Sequence, residues 1–194
     1  MVGIVLAAGS GQRMGGAKAR LVVSGTSLAS THATRLREAG CDDVVMVVRT
    51  EDADVVPANV LTAISSAPEP AGSLLVGLKR LPIDGNVGEE IVVITPIDVV
   101  PVRANTIRAL ARELDRGGTV AATPTCRGRG GHPVVLRRKV LDELTPDGSL
   151  RDVLSALGVR RVRMETDDLA ILTDLDMPDD VIAHTGLPPT FIPK

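Results

Sequence analysis

One segment constrains the fold more than any other. An apolar strand opens at Val2 and runs straight into Gly9-Ser10-Gly11-Gln12-Arg13-Met14-Gly15-Gly16-Ala17-Lys18. Glycine admits backbone conformations closed to other residues and lets main-chain N–H groups approach phosphate oxygens. Arg13 and Lys18 bring positive charge to the same loop, one as a two-pronged donor and the other as a point charge. A loop of this kind at the carboxyl end of a first strand lies where open α/β sheets bind their ligands. The expectation is an α/β fold whose first loop grips a polyphosphate.

Two familiar glycine loops are excluded by spacing. The dinucleotide fingerprint G-x-G-x-x-G finds Gly9 and Gly11 but meets Met14 at its third glycine. The Walker A pattern G-x-x-x-x-G-K-[ST] finds Gly11 and Gly16, but Ala17 separates them from Lys18, and Ala19 replaces the hydroxyl.

The 194 residues are enough for one α/β domain with a substantial core, so residues 1–194 are assigned to a single domain. A hydrophobic fraction of 44% excludes general disorder. No apolar run approaches the roughly 18 residues that span a bilayer, and a strand at residue 2 leaves no secretory leader. The expectation is a cytoplasmic protein with no membrane partner. The net charge is −2, there is no basic block, and Phe191 is the one aromatic residue. Single-stranded nucleic acid is held on aromatic platforms, so a nucleic acid partner is not expected. A bound base would rest on main-chain groups and aliphatic side chains. Cys41 and Cys126 lack C-x-x-C partners and read as reduced thiols rather than zinc ligands.

Along the chain, Val2–Leu6, Val44–Val48 and Ile91–Thr95 read as buried strands, and Val55–Leu61, Thr119–Thr123, Val134–Leu136, Val159–Met164 and Ala170–Thr173 as further strands. In Val159–Met164 apolar residues alternate with arginines, the pattern of a strand wet on one side. Helical spacing follows the Thr26-Ser27 cap up to Gly40, recurs at Leu74, Leu75, Leu78 and Leu81, and again at Ile107, Leu110, Ala111 and Leu114 before Gly117-Gly118. Shorter helices are expected around Lys139–Leu144, over Leu150–Leu157 behind Ser149, and over Pro178–His184. The Pro-containing tail from Gly186 is expected to lie over the surface. Strands alternating with helices predict a mostly parallel sheet covered on both faces.

The opening segment resembles a third pattern, L-A-A-G-x-G-x-R-M-G-x-x-K, through Leu6, Ala7, Ala8, Gly9, Gly11, Arg13, Met14, Gly15 and Lys18. This is the signature of the MobA/MocA-like nucleotidyltransferase family, small enzymes that activate an acceptor with CTP, GTP or another NTP. The resemblance extends in the family's order from residue 2 to residue 180. It implies a three-layer α/β/α Rossmann-like fold and a reaction that releases pyrophosphate. Leu6, Ala7, Ala8, Gly9, Gly11, Arg13, Lys18 and Ser73 would then hold the nucleotide. Arg13 and Lys18 would meet the charge that builds on the leaving pyrophosphate.

Asp98 follows the strand Ile91–Thr95 and shares the carboxyl edge of the sheet with the glycine loop. Magnesium favours carboxylate and phosphate oxygens, so Asp98 is the candidate metal ligand and catalytic carboxylate; a turn or cap aspartate is the alternative. The family commonly has Gly-Asp or Cys-Asp closely followed by Pro, whereas Ile97 precedes Asp98 here and Pro101 comes three positions later. Pro70-Ala71-Gly72-Ser73 resembles the family's loop facing base and ribose, with Ser73 equally readable as a helix cap. Thr173-Asp174-Leu175-Asp176-Met177-Pro178 resembles a family ending in which Asp176 is either a second metal ligand or a helix-capping carboxylate.

Gly131-His132-Pro133-Val134 resembles the molybdenum cofactor cytidylyltransferase branch, as does Asp147-Gly148-Ser149-Leu150-Arg151. Arg127, Arg129 and His132 are therefore the candidate acceptor-binding residues, with His132 either donating to the acceptor or structural. Ala8 blocks an approach that glycine would allow and inclines the reading towards CTP. The expected reaction transfers CMP from CTP, with Mg²⁺, to a phosphorylated acceptor such as molybdopterin, with a molybdoenzyme or its chaperone as a possible partner. The alternatives are a sugar- or alcohol-phosphate nucleotidyltransferase and a non-catalytic nucleotide-binding maturation factor.

Overall fold

The computed structural model describes residues 1–82 and 87–194. In chain order its elements are β1 (Val2–Leu6), β2 (Leu21–Val23), β3 (Thr26–Ser27), α1 (Leu28–Glu38), β4 (Asp43–Val48), β5 (Leu61–Ile64), α2 (Pro70–Arg80) and β6 (Ile91–Pro96). They continue with α3 (Ala104–Glu113), β7 (Ala121–Cys126), β8 (Arg129–Gly130), β9 (Val134–Arg137), α4 (Leu150–Ala156), β10 (Arg161–Glu165), α5 (Pro178–Thr185) and β11 (Thr190–Phe191). The main sheet has the order β10-β7-β9-β6-β1-β4-β5, with β8 paired to β7. Strand β1 is parallel to β4 and β6, β4 to β5, and β7 to β10; β9 runs antiparallel to β6 and β7, and β8 antiparallel to β7.

The strands are two-sided, and their alternation sorts the core into two layers. Val5, Val44, Met46, Val48, Val93 and Val135 face α1 and α3. Ile4, Val45, Val47, Val92, Ile94 and Leu136 face α2 and α4. Both faces are buried, which is why these strands read as continuous apolar runs. Close approach of helix to sheet needs two glycines. A Cβ on Gly3 would stand 2.9 Å from Leu36 Cδ1, and one on Gly77 would stand 2.8 Å from Val47 Cγ2.

The chain leaves β1 for β4 and β5 on one side and returns to β6 on the other. The strand order therefore reverses between β1 and β6, which is where an open α/β sheet forms its ligand crevice. Both the glycine loop and the Asp98 segment emerge at that reversal, and the Ile97 N–H donates to Leu6 O at 3.0 Å.

Several expectations are corrected. Val55–Leu61 is not a strand: Thr50–Val55 forms a 3-10 turn and the strand begins at Leu61. Pro57, which has no N–H to give a ladder, sits in the gap. Ala170–Thr173 is likewise a 3-10 turn, Leu169–Leu172, because the Asp168 carboxylate accepts from the Ala170 N–H. The segment around Lys139–Leu144 is a 3-10 turn over Arg138–Glu143 rather than an α-helix. The tail does more than cover the surface, since β11 pairs antiparallel with β2, itself joined to β3 through Ser24-Gly25 at positive φ. Strand β7 also runs on to Cys126, past the expected Thr123. Among the described residues no helix is long and apolar enough to cross a membrane.

Arg20 ties this tail to the sheet. It is 4% exposed, and its Nε donates to the equally buried Asp52 at 2.7 Å. The rest of the guanidinium reaches Asp54, Glu51 O at 2.8 Å and Pro193 O at 2.8 Å. Replacing Arg20 with Met strands the Asp52 carboxylate in the interior. Urea denaturation is expected to show a loss of about 3–5 kcal/mol, with part of it recovered in the Arg20→Met, Asp52→Asn double variant.

Candidate active site

The turn after β1 is set by backbone geometry. Gly11 has φ +61 and Gly15 has φ +84, and a Cβ on Gly11 would lie 1.9 Å from Gly16 O. Only glycine fits Gly11 without moving the main chain. Two bonds close the turn, Met14 N–H to Gly11 O at 2.9 Å and Gly15 N–H to Gln12 O at 3.3 Å. Among the described residues no protein acceptor meets the N–H groups from Gly9 to Arg13. Successive free N–H groups of this kind form an anion-binding concavity. The loop is braced from beneath: Arg49 Nε donates to Ala8 O at 2.8 Å, and the Met14 side chain is buried. Arg13 is exposed at the rim.

Lys18 turns inward from the end of this loop. Its Nζ donates to Asp98 Oδ2 at 2.8 Å and to Asp176 Oδ1 at 2.5 Å. Three segments far apart in sequence, the first loop, the turn after β6 and the approach to α5, thus meet on one ammonium. Burial opposes the charge on Lys18, but the two carboxylates outweigh it and hold its pKa above the ordinary value. The Lys18 hydrogen bond in turn holds the Asp176 carboxyl below its usual range. Asp174 differs: burial and the nearby Asp98 charge raise its pKa.

The capping of α5 does not fall to Asp176. Asp180 is the capping carboxylate, its Oδ2 accepting from the Asp176 N–H at 2.9 Å and the Met177 N–H at 2.7 Å. The Asp176 side chain is thereby left to Lys18. The segment is locked to the Asp98 turn by Leu175 N–H to Asp98 O at 2.7 Å and Val100 N–H to Thr173 O at 2.9 Å. Beneath that turn lies His32 of α1, with Nε2 3.2 Å from Ile97 O and 2.9 Å from Val99 O. Burial pushes its pKa down to about 4, so the ring is neutral and its N–H fixes the Asp98 backbone.

Ser73 is not a helix cap. Pro70 takes the first position of α2, Glu69 precedes it as the cap residue, and Ser73 lies within the first turn. Its hydroxyl is buried against Ser65 Oγ at 3.0 Å. The candidate acceptor residues separate. Arg127 occupies the tip of the β7–β8 hairpin at φ +52 and is exposed, its N–H donating to Glu165 Oε1 at 2.9 Å. Arg129 and His132 line a cavity of about 540 Å³ together with Asp174. His132 Nδ1 is buried without a partner, and burial lowers the ring's pKa against the pull of Asp174 and Asp98. His32, Arg49 and Asp174 carried no distinctive spacing, although Asp174 sits two residues before Asp176 in the acidic segment.

Two carboxylates within reach of one ammonium, at the edge of an anion-binding turn, also suit a divalent cation. Magnesium and manganese take one or two carboxylates and complete their shell with phosphate oxygens and water. Among the described residues no group of three or more His, Cys, Asp or Glu side chains is placed to hold a metal. A cation here would therefore share its ligands with a bound phosphate.

The fold has counterparts among solved structures. Rv0371c from Mycobacterium tuberculosis is 23% identical and superposes with a TM-score of 0.74 over 96% of this chain and 97% of that one. A second structure of Rv0371c is a complex with manganese, at 21% identity and a TM-score of 0.67 over 92% and 94% of the two chains. A nucleotidyl transferase from Methanothermobacter gives 21% identity and a TM-score of 0.75 over 95% of each chain. The 4-diphosphocytidyl-2C-methyl-D-erythritol synthase from Anaerococcus prevotii gives 15% and 0.72 over 95% and 96%. No curated protein matches the chain in sequence.

The neutral state of His32 predicts a pH dependence. The unfolded chain takes up a proton near pH 6.5 that the folded chain refuses until about pH 4. Its contribution is complete above pH 6.5 and fades as the pH falls towards 4, a loss of about 3 kcal/mol. Urea midpoints followed from pH 7 to pH 4 are expected to fall less steeply in His32→Gln, whose amide N–H still reaches the two carbonyls.

The model of the MobA-like NTP transferase domain matches residues 3–172, and with the glycine turn and its lysine set against Asp98 the chain belongs to that family of nucleotidyltransferases.

Proposed function

We propose that residues 1–194 act as one transferase domain that moves CMP from CTP to a phosphorylated acceptor, molybdopterin or the molybdenum cofactor, and releases pyrophosphate. The observation that carries this reading is Lys18, held by Asp98 and Asp176 at the strand-order reversal, beside a turn with free N–H groups. The base preference rests on Ala7-Ala8 in the first loop, and the acceptor on Gly131-His132-Pro133-Val134.

In this reading the β- and γ-phosphates lie on the turn at Gly9 to Arg13. As the bond between the α- and β-phosphates breaks, negative charge grows on the leaving pyrophosphate, where Arg13 and Lys18 meet it. Lys18 exchanges its carboxylate partners for phosphate oxygens, and the freed Asp98 and Asp176 would hold Mg²⁺. When bound there, the cation would neutralise charge on the phosphates. The acceptor enters from the cavity lined by Arg129 and His132. Its phosphate is ionised near pH 7 and attacks without a general base, so positioning carries much of the rate. A molybdoenzyme or its chaperone is the proposed recipient of the product.

Pyrophosphate release, measured with each NTP, Mg²⁺ and phosphorylated acceptors, tests the reading. CTP with molybdopterin is expected to give the highest turnover, EDTA to abolish it, and Mg²⁺ or Mn²⁺ to restore it. Turnover with a sugar phosphate instead would move the acceptor assignment, and no release with any pair would leave a binding module. Lys18→Ala is expected to lower turnover by about 100-fold or more; a change of only a few fold would remove its assigned role.

A further inference from the structure

The cavity beside the site is walled by arginines from three elements. Arg129 of β8, Arg151 of α4 and Arg161 of β10 line it together. Arg163 stands two residues beyond Arg161, on the same face of β10. Its guanidinium lies over Gly130, 3.4 Å from the place a Cβ would take. Among the described residues, none of these four arginines has a carboxylate within salt-bridge distance. Arg161 donates to Thr123 Oγ1, at 3.3 Å from Nε and 3.2 Å from one terminal nitrogen. Burial and the Arg163 charge hold its pKa below the ordinary value.

Two acidic groups lie nearby, and neither pairs with these arginines among the described residues. Glu165 accepts from Thr125 Oγ1 at 2.8 Å and from the Arg127 N–H at 2.9 Å. Asp174 also lines the cavity, within the fields of Asp98, His132, Asp176 and Lys18, and among the described residues makes no salt bridge to the arginines. The buried Arg20, by contrast, meets two carboxylates. Like charges gathered without a counterion are costly unless an anion arrives to separate them. The rest of the lining is mixed, with Thr123, His132 and Asp174 beside apolar Val134, Leu150, Leu154 and Ile171.

We propose that this cavity binds a second anionic group of the acceptor, separate from the phosphate that attacks. The acceptor class is then a compact molecule with an apolar body and two anions. One anion faces the Lys18 centre and the other is held by Arg129, Arg151 and Arg161, with Arg163 beside them over Gly130. The word acceptor rests on the transferase reading; the anion site itself does not.

Calorimetry on the metal-free protein tests this with defined probes. Glycerate 2,3-bisphosphate and fructose 1,6-bisphosphate are titrated against glycerate 3-phosphate and fructose 6-phosphate. At least one bisphosphate is expected to bind about tenfold more tightly than its monophosphate. Arg161→Gln is expected to erase that preference while CTP with Mn²⁺ binds parent and variant alike. Equal binding of both bisphosphates and their monophosphates overturns the proposal, as does a preference that survives Arg161→Gln. If the preference holds but CTP does not bind the parent, the anion site stands and the transferase reading falls.

Discussion

A single ammonium group organises the functional end of this molecule. Lys18 Nζ is the one atom at which the first loop, the turn after β6 and the approach to α5 converge. Neither carboxylate is deeply buried, so solvent screens each pair and its contribution to stability is modest. The value of the arrangement lies in position. An ammonium between two carboxylates holds those oxygens in place and keeps like charges from repelling. In the proposed reaction it would move when a stronger set of anions and a cation arrive together. The same atoms can thus describe a resting state and a working one.

That convergence follows from topology. The loops after β1 and β6 leave the sheet on either side of the strand-order reversal, so a residue from each can reach into the crevice between them. Three side chains behind these loops then fix the angle of approach. His32 holds the Asp98 turn from below, Arg49 holds the glycine loop at Ala8, and Asp180 takes over the capping of α5. Each of these is a side chain donating to or accepting from main chain, so loops rather than regular elements receive the added bonds. Loops are the parts that otherwise carry the most conformational freedom.

What was legible in the sequence was what short-range physics writes there. Continuous apolar runs at Val44–Val48 and Ile91–Thr95 announced strands buried on both faces. The Ser27 and Ser149 caps marked helix starts, and the spacing of Gly9, Gly11, Arg13 and Lys18 identified the family. The pairing of Lys18 with Asp98 and Asp176 was not legible, because those residues are separated by 80 and 158 positions. Ala170–Thr173 failed as a strand because Asp168 offers its backbone another hydrogen bond, a competition that apolar periodicity does not register. Arg161 and Arg163 were visible as the wet side of a strand. That the wet side opens on a cavity depends on α4 and β8, which the pattern of β10 alone says nothing about.

The strap formed by β11 carries one more implication. Phe191 lies against Gly16 so closely that a Cβ there would stand 2.8 Å from its ring. The Ile192 N–H donates to Arg20 O at 2.9 Å, and Arg20 donates to Pro193 O at 2.8 Å. Residues 16–20 and residues 190–193 therefore complete one structure. The glycine turn lacks this brace until the strand at Thr190–Phe191 has folded back onto β2.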